Sequence, residues 1–246
     1  MIPYSLGILL ENLKSLRKNK VFICAREVIS NKELPPHAIM LRFDVERNLP
    51  HHKFIAYELN QLNIPATFYF HTRKNTYDVD ILKGIQDLGH EIGFHHEALD
   101  RCKGNFEQAK ELFTQEVLRF QQDGFDIQTV CSHGELGLKK NGYKTNHDLF
   151  KKYPTLLKEL DLKGEVYLDI LGKIEQNYIS DTFKASSRFY KKLHNITQDP
   201  KLTQILVHPH RWQYNLLKTL IEVNIGLSQA ILNRISGHRK YITVMD

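Results

Sequence analysis

Cysteine is scarce in this chain, which contains three cysteines among 246 residues. Cys24, Cys102 and Cys131 form no CxxC pair, and an odd number of cysteines cannot all join in disulfides. The disulfide framework that stabilises many small secreted domains is therefore excluded, and such sparse usage is typical of a reducing compartment. We expect a cytoplasmic protein.

The N-terminus has little hydrophobic sequence. Its apolar run, residues 6–10, is followed directly by Glu11. This run is too short for the core of a signal peptide, and a membrane-spanning helix needs about 20 apolar residues. We therefore expect neither a signal peptide nor a membrane span.

A strong excess of charge is also lacking. The chain has 34 basic and 28 acidic residues, a net charge of +6, and its lysine doublets at 139–140, 151–152 and 191–192 are dispersed. No basic block with interleaved aromatic residues is present, so we expect no nucleic-acid partner. With 41% hydrophobic residues, the composition is that of a folded globular chain rather than a disordered one.

Segments typical of strands and of helices alternate along the chain, which predicts the α/β class, with a parallel sheet and helices outside it. At about 150 residues per domain, the length allows one large domain, and we assign residues 1–246 to it. The less regular residues 132–162 and 183–203 are expected to form long loops near a site. The predicted strands are 38–43, 64–70, 89–94, 126–132, 165–170, 178–181 and 204–208. The predicted helices are 6–17, 51–63, 80–88, 106–122 and 214–234. Residues 1–37 are expected to form an N-terminal helical and strand extension, and residues 213–246 a C-terminal helix.

Ionisable residues follow nearly every predicted strand. In parallel α/β folds, ligands and catalysis gather at the carboxyl ends of the strands, so these residues are candidates for one site. A carboxylate in such a position can instead cap the next helix, and a histidine there can be structural. The residues concerned are Asp44, Glu46, His71, His95, His96, Glu97, His133, Asp181 and His208.

Asp44 and Glu46 are two residues apart, so in an extended segment both side chains point to the same side. Carboxylates with nearby histidines are the ligands of a divalent metal such as Zn²⁺, and one carboxylate would remain for proton transfer. Alternatively, Asp44 caps the following helix and Glu46 pairs with Arg42 or Arg47. The spacing alone is compatible with both interpretations.

Four segments occur in an order typical of one enzyme family: residues 43–46 (FDVE), 66–69 (ATFY), 89–95 (GHEIGFH) and 205–208 (ILVH). They resemble the successive motifs of the polysaccharide deacetylases, the NodB-homology superfamily that includes carbohydrate esterase family 4. The closer resemblance is to a divergent bacterial branch with an RHDVD-type first motif, associated with surface-glycan loci. Its motifs are similar to residues 42–46 (RFDVE), 89–97 (GHEIGFHHE), 130–134 (VCSHG), 180–182 (SDT) and 208–212 (HPHRW).

The resemblance implies a NodB-like, distorted (β/α) barrel of about seven parallel strands. It also implies a metal-dependent hydrolase, with zinc the expected ion, that removes an N- or O-acetyl group from a sugar in a surface-polysaccharide pathway. By this resemblance Asp44 is the base, Glu46 a metal ligand, His95 the first metal histidine and His208 the general acid for the leaving amine.

The sequence departs from the family pattern at Leu99, where the second metal histidine is usual. A third ligand would have to come from His96, Glu97 or His133, or the metal is weakly held or absent. We prefer His133, because it ends a separate predicted strand and the glycine after it allows close approach of the backbone.

Substrate binding is assigned to Arg211, Trp212, Asp181 and Glu97, with Arg211 pairing an acidic group and Trp212 stacking on a sugar face. Core packing is the alternative for Trp212. The expected partners are a carbohydrate substrate and glycan-assembly enzymes. Two rival functions stay open: a degenerate family member that binds a glycan or a partner without catalysis, and a metal-dependent hydrolase of a phosphoester or a cyclic amide.

Overall fold

The computed structural model describes residues 4–47, 51–134, 142–171, 177–182, 186–196 and 202–212. The predicted C-terminal helix lies outside these residues. Within them, no helix is both long and apolar enough to cross a membrane.

The described strands form one parallel sheet that is curled into a half-barrel and flanked by helices, which confirms the α/β class and the barrel-like architecture. The strand order is β6-β5-β4-β3-β2-β8-β7, and β1 also pairs with β2. The strands are β1 (Val21–Ile23), β2 (Ala38–Val45), β3 (Thr67–Phe70), β4 (Glu91–His96), β5 (Thr129–Ser132), β6 (Gly164–Glu165), β7 (Asn177–Ser180) and β8 (Thr203–Val207).

Strand β2 is an interior strand with neighbours on both edges, and all of its residues are buried. It pairs with β8 on one edge, while β3 and β1 share the other edge, pairing with its second and first halves. A strand covered on both faces normally reads as a continuous apolar run. The exceptions in β2 are Arg42 and Asp44. Two buried charged groups at this end of the strand indicate a candidate functional site.

The two faces of the sheet differ in character. Odd-numbered residues of β2, such as Phe43, join the large core between sheet and helices. Even-numbered residues, such as Met40, join a smaller cluster inside the curl, together with Tyr69. A side chain at Gly93 would meet the Tyr69 ring, because an added Cβ would lie 2.4 Å from it. The ring, on the strand next to that of Asp44, therefore packs over Gly93.

Helices cover the outer face. The spacing of leucines predicts the first helix, and α1 buries Leu6, Leu9, Leu10, Leu13 and Leu16 as expected from that pattern. The helices are α1 (Leu6–Arg17), α2 (Ala25–Ser30), α3 (His51–Gln61), α4 (Val79–Asp87), α5 (Ala98–Arg101), α6 (Phe106–Gln122), α7 (Asp148–Lys152), α8 (Leu156–Glu159) and α9 (Ser186–Asn195).

The structure corrects two expectations about secondary structure. Residues 165–170 are not a strand: after the short β6, Val166–Ile170 form a π-helical turn. The Glu165 carboxylate accepts a hydrogen bond from the backbone N–H of Leu168 at 2.9 Å, which starts this turn. The two stretches expected to be long loops contain α7, α8 and α9. Residues 1–37, expected to be helical and strand, contain α1, which packs into the core, and β1, which pairs with β2.

Candidate functional site

A cavity of about 560 Å³ opens at the carboxyl ends of the strands. Asp44 at the end of β2, His95 on β4, His133 after β5 and His208 after β8 all line it. Parallel strands place their carboxyl ends on one edge, so residues distant in sequence meet there. The structure thus brings these four predicted site residues together.

Asp44 lies beside Arg42, two residues earlier on the same inner face. The Nε and Nη2 atoms of Arg42 donate to the two carboxylate oxygens of Asp44 at 2.8 and 2.7 Å. Burial favours a raised pKa for Asp44, but the neighbouring guanidinium charge outweighs it and lowers the pKa of this carboxyl. Asp44 is therefore ionised, and Arg42 pairs with it rather than with Glu46.

The ring of His95 has a defined tautomer. Its Nδ1 lies 3.0 Å from the backbone carbonyl oxygen of Cys131. A carbonyl only accepts hydrogen bonds, so Nδ1 carries the proton and Nε2 keeps a lone pair. That lone pair faces the site, 3.7 Å from Oδ2 of Asp44. Burial lowers the pKa of His95 to about 4, so the ring is neutral at physiological pH.

His71, directly after β3, completes a group of three imidazoles with His95 and His133. One nitrogen from each lies within 4.8 Å of the others. Burial also holds the pKa of His71 well below its ordinary value. The sequence places His71 at a strand end, but no motif singles it out, so it is absent from the predicted ligand set.

These residues fit a divalent metal. Neutral imidazoles are the commonest protein ligands of zinc, and a backbone carbonyl that orients the other ring nitrogen is the usual support for a ligating histidine. Asp44 and Cys131 form a second possible donor group around the same His95. The residues that would hold such an ion are His71, His95 and His133, with Asp44 adjacent.

Glu46 takes a different position from the one predicted. Its Oε1 atom lies 3.7 Å from Nε2 of His133 and 3.6 Å from Nε2 of His208, and its Oε2 lies 3.9 Å from Nε2 of His210. It belongs to neither donor group around His95 among the described residues. Of the predicted trio Glu46, His95 and His133, the two histidines converge with His71, and Glu46 lies between His133 and His208.

His208 is held by Asp181. Its Nδ1 lies 2.5 Å from Oδ1 of Asp181, and its backbone N–H donates to Oδ2 at 2.8 Å. Burial acts to lower the pKa of His208, but the Asp181 carboxylate and then Glu46 raise it above the ordinary value. The protonated ring therefore persists to higher pH than an ordinary histidine, and its Nε2 faces Glu46.

Two predicted substrate-binding residues are internal. Trp212 is 0% exposed, its Nε1 donates to Asp181 at 2.6 Å, and its ring packs 4.8 Å from Tyr4 and 5.1 Å from Phe189. Core packing, the alternative interpretation, is therefore its role. Asp181 is also 0% exposed and uses its carboxylate on His208 and Trp212, so it does not reach a substrate. Arg211 does line the cavity.

His96 and Glu97 are also directed away from the cavity. Because side chains alternate along a strand, His96 lies on the outer face of β4, bonded to Ser132 Oγ at 2.8 Å and packed against Phe113. The Glu97 carboxylate forms two hydrogen bonds with Arg73, one of them 2.6 Å from Nε. Neither side chain lines the cavity or joins a possible donor group among the described residues, although the sequence offered both as ligands and Glu97 as a substrate-binding residue.

Acid should destabilise the metal-free protein. Burial lowers the pKa values of His95 and His210 to about 4, whereas an unfolded histidine titrates near 6.5. The unfolded chain therefore binds more protons between these values, so stability is intact above pH ~6.5 and falls as the pH drops towards 4. We expect a loss on the order of 3 kcal/mol for each histidine, measured by chelator-treated denaturant unfolding. A His210→Gln variant should lose less stability over this range, and an unchanged acid dependence would contradict the assignment.

Comparison with known proteins does not assign a family. No protein-family model and no curated protein matches the chain. Among solved structures, it is similar to apo diaminopropionate ammonia lyase of Escherichia coli at 16% identity and a TM-score of 0.23, over 83% of this chain and 48% of that one. The selenomethionine-containing holo form matches at 14% identity and a TM-score of 0.19, over 73% and 39%. The chain thus spans about half, or less, of the length of these enzymes, and likeness at this level carries no implication for its fold or chemistry.

Proposed function

We propose that the protein is a metal-dependent hydrolase that removes an acetyl group from an N- or O-acetylated sugar, in a cytoplasmic step of surface-glycan assembly and in association with other glycan-assembly enzymes. The proposal includes membership of the polysaccharide deacetylase superfamily. The observation that carries it is that Asp44, His95, His133 and His208 line one cavity, while His71 lies within reach of the other two imidazoles and Asp181 holds His208.

Each of these groups matches one requirement of amide hydrolysis. A zinc ion held by the imidazoles would polarise the acetyl carbonyl and acidify water. Asp44 accepts a proton from the attacking water, because Arg42 keeps it ionised and its Oδ2 lies 3.7 Å from Nε2 of His95. His208 donates a proton to the leaving amine through Nε2, and Asp181 orients the ring through Nδ1.

Glu46 connects the two halves of the site. It lies within 4 Å of His133 on one side and His208 on the other. Its pKa is held well below the ordinary value, since its burial is outweighed by the hydrogen bond and charge of these histidines. An ionised Glu46 thus stabilises the proton on His208 and orients His133.

The substrate class is tested by incubating the zinc-loaded protein with N-acetylated and O-acetylated sugars and with a phosphomonoester and a cyclic amide. Acetate and free amine should form from an acetylated sugar, with no phosphate released from the ester. Phosphate release or ring opening without acetate would favour the rival hydrolase. Sugar binding with no product from any substrate would favour the degenerate glycan-binding protein.

Removal of the Asp181 charge should shift the pH profile. His208 must be protonated to donate, so the rate falls as the pH rises through its pKa, and Asp181 raises that pKa. In Asp181→Asn we expect this alkaline limb of kcat to move to lower pH. Trp212→Phe is the matched control, because it removes a hydrogen bond to Asp181 but leaves the carboxylate charge. An alkaline limb at the same pH in Asp181→Asn and the wild type would contradict the role of His208 as the acid.

A further inference from the structure

Part of the cavity lining is cationic. Arg188 and Lys192 lie on α9 with a spacing of four, so they share one face of the helix, and both side chains line the cavity. Arg211, from the short helical turn after β8, lines it as well. Three cations from two separate elements therefore line the cavity that holds the proposed acetyl site.

The charges of these three residues are not neutralised by the contacts that they make. Lys192 Nζ donates to the backbone oxygen of Tyr178 at 3.2 Å, and Arg211 Nη1 donates to the backbone oxygen of Asp181 at 2.7 Å. Both acceptors are neutral peptide carbonyls, and each cation keeps further N–H donors. Arg188 is exposed and forms no ion pair with any carboxylate of the described residues.

The carboxylates near the cavity are already paired elsewhere. Asp44 is bound to Arg42, Asp181 to His208, and Glu46 is surrounded by histidines. Among the described residues that line the cavity, no acidic side chain lies on the α9 wall. The wall therefore carries net positive charge facing a space of the size that holds a small molecule.

We propose that the Arg188, Lys192 and Arg211 wall binds a phosphate group of the substrate, so that the substrate is a phosphate-bearing acetylated sugar with its acetyl group at the imidazole side. The position given to the acetyl group rests on the proposed function, whereas the binding of phosphate does not. Two guanidinium groups and an ammonium offer more charge and more donors than one carboxylate needs, and they suit the dianionic phosphate.

Calorimetric binding tests the ligand class. The zinc-loaded protein is titrated at low salt with an N-acetylhexosamine, its 1-phosphate, and the corresponding N-acetylated uronic acid. We expect the phosphate to bind at least about tenfold more tightly than the neutral sugar, because its charged oxygens accept hydrogen bonds from the cationic side chains. Equal affinity for the neutral sugar, or tighter binding of the uronic acid than of the phosphate, would overturn the proposal.

Two lysines of α9 give a matched pair of variants. Lys192→Gln should weaken binding of the sugar 1-phosphate about tenfold and leave binding of the neutral sugar unchanged. Lys191→Gln removes the same charge from an exposed neighbour that does not line the cavity, and it should have little effect. Equal losses in both variants would show only a general charge effect and overturn the proposal.

Acetate release distinguishes the two proposals. Tight, Lys192-dependent phosphate binding without acetate release would overturn the proposed hydrolase and leave the phosphate wall in place. Efficient acetate release from neutral sugars, with no gain in rate from the phosphate, would contradict the proposed phosphate binding and support the proposed hydrolase.

Discussion

Replacing Asp44 by asparagine should lower kcat for acetate release by about 10²–10⁴-fold, because the amide cannot take the proton of the attacking water. The change is nearly isosteric, and an amide oxygen can still accept one hydrogen bond from Arg42. Zinc binding should persist, since the three imidazoles of His71, His95 and His133 are untouched. The measurement is kcat at saturating substrate for zinc-loaded variant and wild type, below the unfolding temperature of both.

The control is a carboxylate outside the cavity. Asp100 on α5 is buried and accepts hydrogen bonds from Tyr143 at 2.6 Å and Asn146 at 2.7 Å. Asp100→Asn makes the same chemical change, so it should affect stability but leave kcat nearly intact. Activity that survives in Asp44→Asn would remove Asp44 from the role of base.

Replacing Arg42 by methionine should lower the free energy of unfolding by about 3–5 kcal/mol. Arg42 and Asp44 are 0% and 3% exposed, and Arg42 is the partner that donates to both carboxylate oxygens of Asp44. Without Arg42, the Asp44 carboxylate would stay buried beside methionine. This lowers the free energy of unfolding much more than the loss of a solvent-exposed ion pair does. Denaturant unfolding at neutral pH measures the loss.

Two further variants isolate the cause. The double variant Arg42→Met with Asp44→Asn should be more stable than Arg42→Met alone, because no uncompensated charge remains. Lys151→Met breaks the exposed ion pair with Asp148 and should cost no more than about 1 kcal/mol. If the double variant were less stable than Arg42→Met, the buried charge would not be the source of the loss.

The positions of the catalytic candidates could be predicted because the direction of each strand can be predicted from the sequence. Once the strands are taken as parallel, Asp44, His95, His133 and His208 must emerge at one edge, and the structure places all four around one cavity. Alternation along β4 also separates His95 from His96, although the sequence left both open as ligands. The two-residue alternation of side chains along β4 therefore determines that His95, and not His96, faces inward.

Other features depend on contacts between distant segments. His71 enters the imidazole group because β3 is inserted between β2 and β4, a pairing that local patterns do not specify. Residues 166–170 are mostly apolar and look like a strand, yet they form a helical turn that is capped at its start by Glu165. Trp212 is internal because Tyr4, Phe189 and Asp181 surround it, and each comes from a different part of the chain.

The most direct test is acetate release as a function of zinc. The purified protein is stripped with chelator, titrated with zinc, and assayed on an acetylated sugar phosphate and on its neutral counterpart. We expect no acetate from the stripped protein and activity that rises with added zinc until about one equivalent is bound per chain. Full activity in the stripped protein, or one bound zinc with no acetate from either sugar, would contradict a metal-dependent deacetylase built on His71, His95 and His133.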